Sequence, residues 1–115
     1  MASNQIKKFA ASHKFARIAP RKARLVADMI RGKGIEDALA TLEFSPRRGA
    51  WFIKTVLRSA IANAEEANLD VGRLFVSETR VDEGPTIKRF QPKDRGRSHP
   101  IMKRTSHIHV AVDVR

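Results

Sequence analysis

Two stretches of strand-forming residues, Leu74 to Val81 and His107 to Arg115, bracket about twenty residues too polar to pack a core of their own. In the second stretch Ile108, Val110, Val112 and Val114 alternate with His107, His109, Ala111, Asp113 and Arg115, the period of a strand with one buried face. The segment between holds seven basic residues, Lys88, Arg89, Lys93, Arg95, Arg97, Lys103 and Arg104, against Asp94 alone. A structureless loop of that length is rare in a compact domain. The sequence therefore predicts a β-hairpin over about 85–103 whose arms run on past the sheet, with its turn near Pro92 to Gly96. Its apolar residues are few, mainly Ile87, Phe90, Ile101 and Met102, so whatever it binds must hold it straight.

Charge is sorted along the rest of the chain as well. The 115 residues carry a formal net charge of +11. Residues 1–24 hold Lys7, Lys8, Lys14, Arg17, Arg21, Lys22 and Arg24 with no acidic residue, whereas residues 25–84 hold eight basic and ten acidic ones. Two blocks thus account for the excess, which marks an anionic partner, and the middle reads as scaffold. The length suits one domain, with a body over 1–84 and 104–115, and 42% hydrophobic residues are enough for a core. Cysteine is absent, which excludes disulfides, thiolate-bound zinc and thiol nucleophiles. No apolar run approaches the ~18 residues of a membrane span, and Met1 to Lys8 lacks an apolar leader. A cytoplasmic protein without a membrane partner is expected.

Three helices are predicted between the basic blocks. Pro20 suits a first helical position, Ala23, Val26, Ala27 and Ile30 form one face, and Gly32-Lys33-Gly34 supplies the stop. Its first turn carries Arg21, Lys22 and Arg24 at the positive end of the helix dipole, an arrangement suited either to an external anion or to plain solvation. A short helix from Ile35 to about Leu42 follows, with Ile35, Ala38, Leu39 and Leu42 inward. Ser45-Pro46 is then read as the start of a long helix reaching about Asn68, with Trp51 and Phe52 in the core. Upstream, Phe9, Phe15 and Ile18 anchor a basic edge strand.

Catalytic chemistry finds little support. Arg31-Gly32-Lys33-Gly34 lacks the spacing of a phosphate-binding loop. His107 and His109 share a strand face without an evident third metal ligand, since His99 lies far along the arm. Neighbouring strand residues Ser106 and His107 point to opposite faces, so they form no catalytic pair. No enzyme, cofactor, metal or small-molecule substrate is expected; a hydrolase using His99 and His107 fails on geometry. Arginine forks and lysine charges are phosphate chemistry. Aromatic residues are only 6%, which favours shape and backbone recognition of folded RNA over base stacking. A basic architectural DNA-binding protein is the alternative.

Three separated motifs then carry a resemblance. The run Ile18 to Lys33 (IAPRKARLVADMIRGK) resembles the first-helix signature of the bacterial large-subunit ribosomal protein twenty-two family. Ser59 to Glu65 resembles the end of that family's long helix, and Asp82 to Pro85, Lys88-Arg89, Gly96-Arg97 and Lys103 to Ile108 resemble its hairpin and final strand. The resemblance implies an α+β fold, three helices on a small three-stranded antiparallel sheet with one long protruding β-hairpin. It implies binding to large-subunit ribosomal RNA, through the two basic blocks and through Arg31 and Lys33, with a part in assembly. It further implies contact with neighbouring ribosomal proteins and a hairpin lining the nascent-peptide exit tunnel, with Ile87, Lys88, Arg89, Gly96 and Arg97 at its far end. Asp94, Ser98, His99 and Pro100 depart from the family pattern at the tip.

Overall fold

In the computed structural model, residues 9–92 and 98–114 are described. The order is β1 (Phe9–Ala16), α1 (Pro20–Ile30), α2 (Ile35–Phe44), α3 (Arg48–Glu66), a 3₁₀ turn (Val71–Arg73), β2 (Leu74–Glu83), β3 (Ile87–Pro92), β4 (Ser98–Lys103) and β5 (Ser106–Val114). β1, β5 and β2 form a three-stranded antiparallel sheet with β5 in the centre, and β3 and β4 pair as a second, two-stranded sheet. α3 lies over β1 and β5, α1 lies over β2, and α2 packs against both helices. The expected α+β architecture is the one observed.

Apolar periodicity explains the packing. Val26, Ala27 and Ile30 of α1, Ile53, Leu57 and Ala60 of α3, and Val76, Ile108, Val110 and Val112 of the sheet meet in one core. α1 and α3 approach closely at Gly49, where a Cβ would stand 3.2 Å from both Ile18 Cδ1 and Val26 Cγ2. Gly32, at φ +84°, ends α1 in the left-handed conformation that glycine adopts without strain.

Two local readings need correction. α3 begins at Arg48, and Ser45 is the C-cap of α2, its N–H donating to the Leu42 carbonyl while its Oγ accepts from the Arg47 N–H. The hydroxyl therefore serves the turn between helices and leaves the start of α3 without a side-chain cap. Phe52 is buried, but Trp51 is 59% exposed. Trp51 shares its stripe of α3 with Thr55 and Ser59, both exposed, whereas Phe52 is in register with Val56 and Ala60 on the buried face.

β2 is an edge strand, yet its outer side is occupied. The Val76 N–H donates to the Lys33 carbonyl (2.8 Å) and its carbonyl accepts from Gly32 (2.9 Å). Further along, the Val81 carbonyl accepts from Arg24 Nε and Nη2 (3.1 and 3.0 Å), and the Thr79 carbonyl accepts from Arg31 Nη2 (3.2 Å). α1 and its glycine stop thus cap the strand's free carbonyls.

On the other edge, the β1–β5 register shifts between His13 and Ala16. Phe15 sits there at φ 61°, held by its N–H to His107 Nδ1 (3.1 Å) and by an edge-on ring contact with His107 at 4.9 Å. This kink turns the chain from β1 toward α1, and Ser106 Oγ secures the turn by donating to the Ile18 carbonyl at 2.6 Å in a buried site. Ser106→Ala is expected to cost about 1–2 kcal/mol by stranding that carbonyl. Urea unfolding would report it as a lower midpoint at unchanged m-value; an unchanged midpoint would remove the buried bond from the account.

The β3–β4 ladder pairs Ile87 with Lys103, Lys88 with Met102, Arg89 with Ile101, and so on to Pro92 with Ser98. Six residues per arm are paired, and the joining segment 93–97, which holds most of the expected turn, lies outside the described residues. In this register Ile87, Lys88 and Arg89 stand at the end of the ladder nearest the three-stranded sheet, four to six residues after β2, and Pro92 and Ser98 stand at its other end. The Cα radius of gyration is 17.4 Å and the long axis 63 Å, whereas a compact chain of this length would have a radius near ~13 Å.

Candidate nucleic-acid interface

The segment between β1 and α1, the turn before α3 and the end of β4 converge on one end of the body. Arg17 leads into α1, Lys22 lies in its first turn, Arg47 and Arg48 open α3, and Arg104 follows β4 directly. These five line an open-sided cleft of about 560 Å³. Its remaining wall is Ile18, Ala19, Leu25 and Gly49, and no carboxylate lines it. All five basic residues are exposed. Leu25, 53% exposed, gives the wall an apolar face.

Local sequence explains the convergence. α1 opens on a proline and α3 begins two residues after one, in the runs Pro20-Arg21-Lys22 and Pro46-Arg47-Arg48. Neither N-cap residue, Ala19 or Arg47, makes a side-chain capping bond. Gly49 lets the two helix starts lie side by side, because a Cβ there would press on Ile18 and Val26. Arg104 arrives through the hairpin root. There the Gly84 N–H donates to the Thr105 carbonyl (3.0 Å), and Thr105 Oγ1 donates to the Pro85 carbonyl (2.6 Å). A smaller cleft on the other side of Arg104 is bordered by Glu83, Gly84 and Thr86.

The other sequence-predicted residues are distributed unevenly. Arg21 is exposed on the first turn of α1 and Lys14 is exposed on β1. Arg24 and Arg31 direct guanidinium donors to β2 carbonyls, and Arg31 also pairs with Asp28 at 2.9 Å. Lys33 Nζ donates to Thr41 Oγ1 at 3.2 Å. Lys88, Arg89 and Lys103 occupy register positions in the β3–β4 ladder. Lys7, Lys8, Lys93, Arg95, Gly96 and Arg97 lie outside the described residues.

Arg47 and Arg48 are the cleft residues that sequence reading missed. They fall in a near-neutral segment, so charge counting by stretch hides them; the repeated proline–basic–basic pattern at two helix starts was the signal that would have found them. Elsewhere several charges are paired. Lys54 Nζ donates to Glu43 Oε2 at 2.8 Å, and that bond, with the lysine's charge, holds the exposed Glu43 carboxyl below its ordinary pKa. Arg80 and His109 both approach Asp82 Oδ2, at 3.3 Å each. The second nitrogen of His109, Nδ1, bonds Ser12 Oγ at 2.7 Å. The face shared by His107 and His109 is thus used for bonds between strands. Among the described residues, no three histidine or acidic side chains gather as a metal site.

Comparison with known proteins gives this geometry a context. The family model described as ribosomal protein L22p/L17e matches residues 11–113. A protein of Ligilactobacillus salivarius named large ribosomal subunit protein uL22 is 53% identical over 114 residues, covering 98% of this chain and 99% of its own length. The protein of the same name from Lacticaseibacillus casei is 54% identical over 111 residues, 96% of this chain and 95% of its own. That from Desulfosudis oleivorans, also so named, is 50% identical over 102 residues, 89% of this chain and 90% of its own. With matches that run from β1 to β5, the chain belongs to the ribosomal protein L22p/L17e family.

Proposed function

We propose that this chain is a structural constituent of the large ribosomal subunit, binding the subunit's RNA and supporting its assembly in the cytoplasm. The observation that carries the reading is the cleft on the body, where five basic side chains meet without an acidic one. Residues distant in sequence contribute to it, as expected of a surface that reads folded RNA by shape and backbone. Arg21, Lys22 and Lys14 extend the positive surface along α1 and β1, while Arg24 and Arg31 both brace the sheet and add field. The paired arm of β3 and β4, with Lys88, Arg89 and Lys103, continues the contact away from the body.

In this reading the closed end of the arm, with Gly96 and Arg97, reaches the nascent-peptide exit tunnel. Ile87, Lys88 and Arg89 contact RNA nearer the root. Neighbouring large-subunit proteins and the nascent peptide are the further partners, and neither a membrane nor a small-molecule substrate is required. A tagged chain is expected to co-sediment with large subunits in sucrose gradients and to remain there through ordinary salt washes. Recovery only at the top of the gradient would refute the reading, and equal affinity for duplex DNA and ribosomal RNA would favour the architectural DNA-binding alternative.

A further inference from the structure

We propose that the cleft lined by Arg17, Lys22, Arg47, Arg48 and Arg104 is a clamp for two or more neighbouring phosphates of one RNA strand, joining the body to the hairpin root. The inference rests on the RNA-binding reading and adds to it a defined site, two residues outside the basic blocks, and a mechanical consequence.

Charge count sets the ligand. A phosphodiester carries one negative charge, so one phosphate leaves most of five cations unmatched, whereas consecutive phosphates of a single strand approach balance. Five like charges around an open cleft of about 560 Å³ repel one another, and no carboxylate in the lining relieves them. An anionic strand does. Four of the five are arginines, whose planar forks bind phosphate oxygens in pairs. The apolar wall of Ile18, Ala19 and Leu25 accepts the sugar that must lie between two bound phosphates.

Position sets the consequence. Arg17 belongs to the approach to α1 and Lys22 to its first turn, Arg47 and Arg48 to the start of α3, and Arg104 to the link that follows the return strand of the arm. A strand held by all five ties the arm's root to the two helices. The root itself is knitted by the Gly84 N–H bond to Thr105, so the amide of Gly84 reports on it. Bound RNA therefore protects this amide from exchange.

The test uses the full chain with large-subunit RNA transcribed in vitro. Arg47→Gln and Arg48→Gln together remove two phosphate contacts from a segment with no net basic excess. The double variant is expected to lower the magnitude of the log–log salt slope by about 1.4 and to weaken binding about 25-fold at ~0.1 M salt. Protection of the Gly84 amide by RNA is expected to fall in the same variant. Because Arg48 also lies 5.6 Å over the Phe52 ring, Arg47→Gln and Arg104→Gln are measured singly, each expected to reduce the slope by about 0.7. An unchanged slope in these variants, with Lys88→Gln and Arg89→Gln still weakening binding, overturns the clamp and leaves the RNA-binding reading intact. Failure of the unmodified chain to bind RNA overturns both. Loss of tripolyphosphate binding in the variants, with RNA binding unaltered, assigns the cleft to a free polyanion and also overturns the clamp.

Discussion

Leu57→Ala is expected to lower the thermal unfolding midpoint by about 12 °C. Leu57 is fully buried near the middle of α3, the helix that covers both β1 and β5. Truncation removes the transfer free energy of its outer carbons and leaves a cavity that a helix pinned against two strands cannot collapse, a loss of about 3 kcal/mol. For a chain of this size about 4 °C accompanies each kcal/mol. Total stability of a small domain is only about 5–15 kcal/mol, so this one side chain represents a large fraction of it. Calorimetry of the free protein provides the measurement, and a shift below ~4 °C would mean that α3 is not clamped on the sheet in solution.

The second large effect lies at the hairpin root. A Cβ added at Gly84 would stand 2.5 Å from Thr105 Oγ1 and 3.3 Å from His107 Cε1. Thr105 is buried, and its hydroxyl is committed to the Pro85 carbonyl at 2.6 Å. Gly84→Ala therefore forces either the hydroxyl or the backbone to move, at a cost of about 2–3 kcal/mol. Thr105→Ala alone loses the hydrogen bond, about 1–2 kcal/mol. The double variant removes the obstructing oxygen, so its loss is expected to fall short of the sum of the single losses by at least ~1 kcal/mol. Strict additivity in urea unfolding would show that the two positions do not compete for space.

Much of this architecture is written locally. The alternation from His107 onward, proline at the first position of α1 and the glycine stop after Ile30 each act through neighbours within a few residues, and each produced the element expected. Trp51 was legible too. Its partners at four-residue steps, Thr55 and Ser59, are polar and place it on the wet face, a stronger signal than the bulk of the ring. What sequence conceals is convergence. Arg47 and Arg48 lie in a near-neutral stretch, and only the packing of α3 beside α1 at Gly49 brings them to Arg17, Lys22 and Arg104. Arg24 and Arg31, seven residues apart, bond the carbonyls of a strand some fifty residues later, and no charge count can separate that duty from phosphate binding. The arm's register is a further case: only pairing sets Ile87 opposite Lys103, at the end of the ladder that follows β2, whereas the resemblance implied the far end for it.

The closure of β2 has a consequence for the chain before it meets a partner. An edge strand with bare carbonyls is a template on which a second copy can extend the sheet. Here Arg24, Arg31 and the Gly32-Lys33 backbone already occupy those positions, and Lys14 places an exposed charge on β1, the opposite edge. With +11 on every copy, two molecules repel before they touch and find no open β2 ladder when they do. The guanidinium groups of Arg24 and Arg31 thus close this edge to a second copy, and in the RNA-binding reading proposed above the same two groups also add to the positive field that draws RNA, so waiting and docking place compatible demands on one helix.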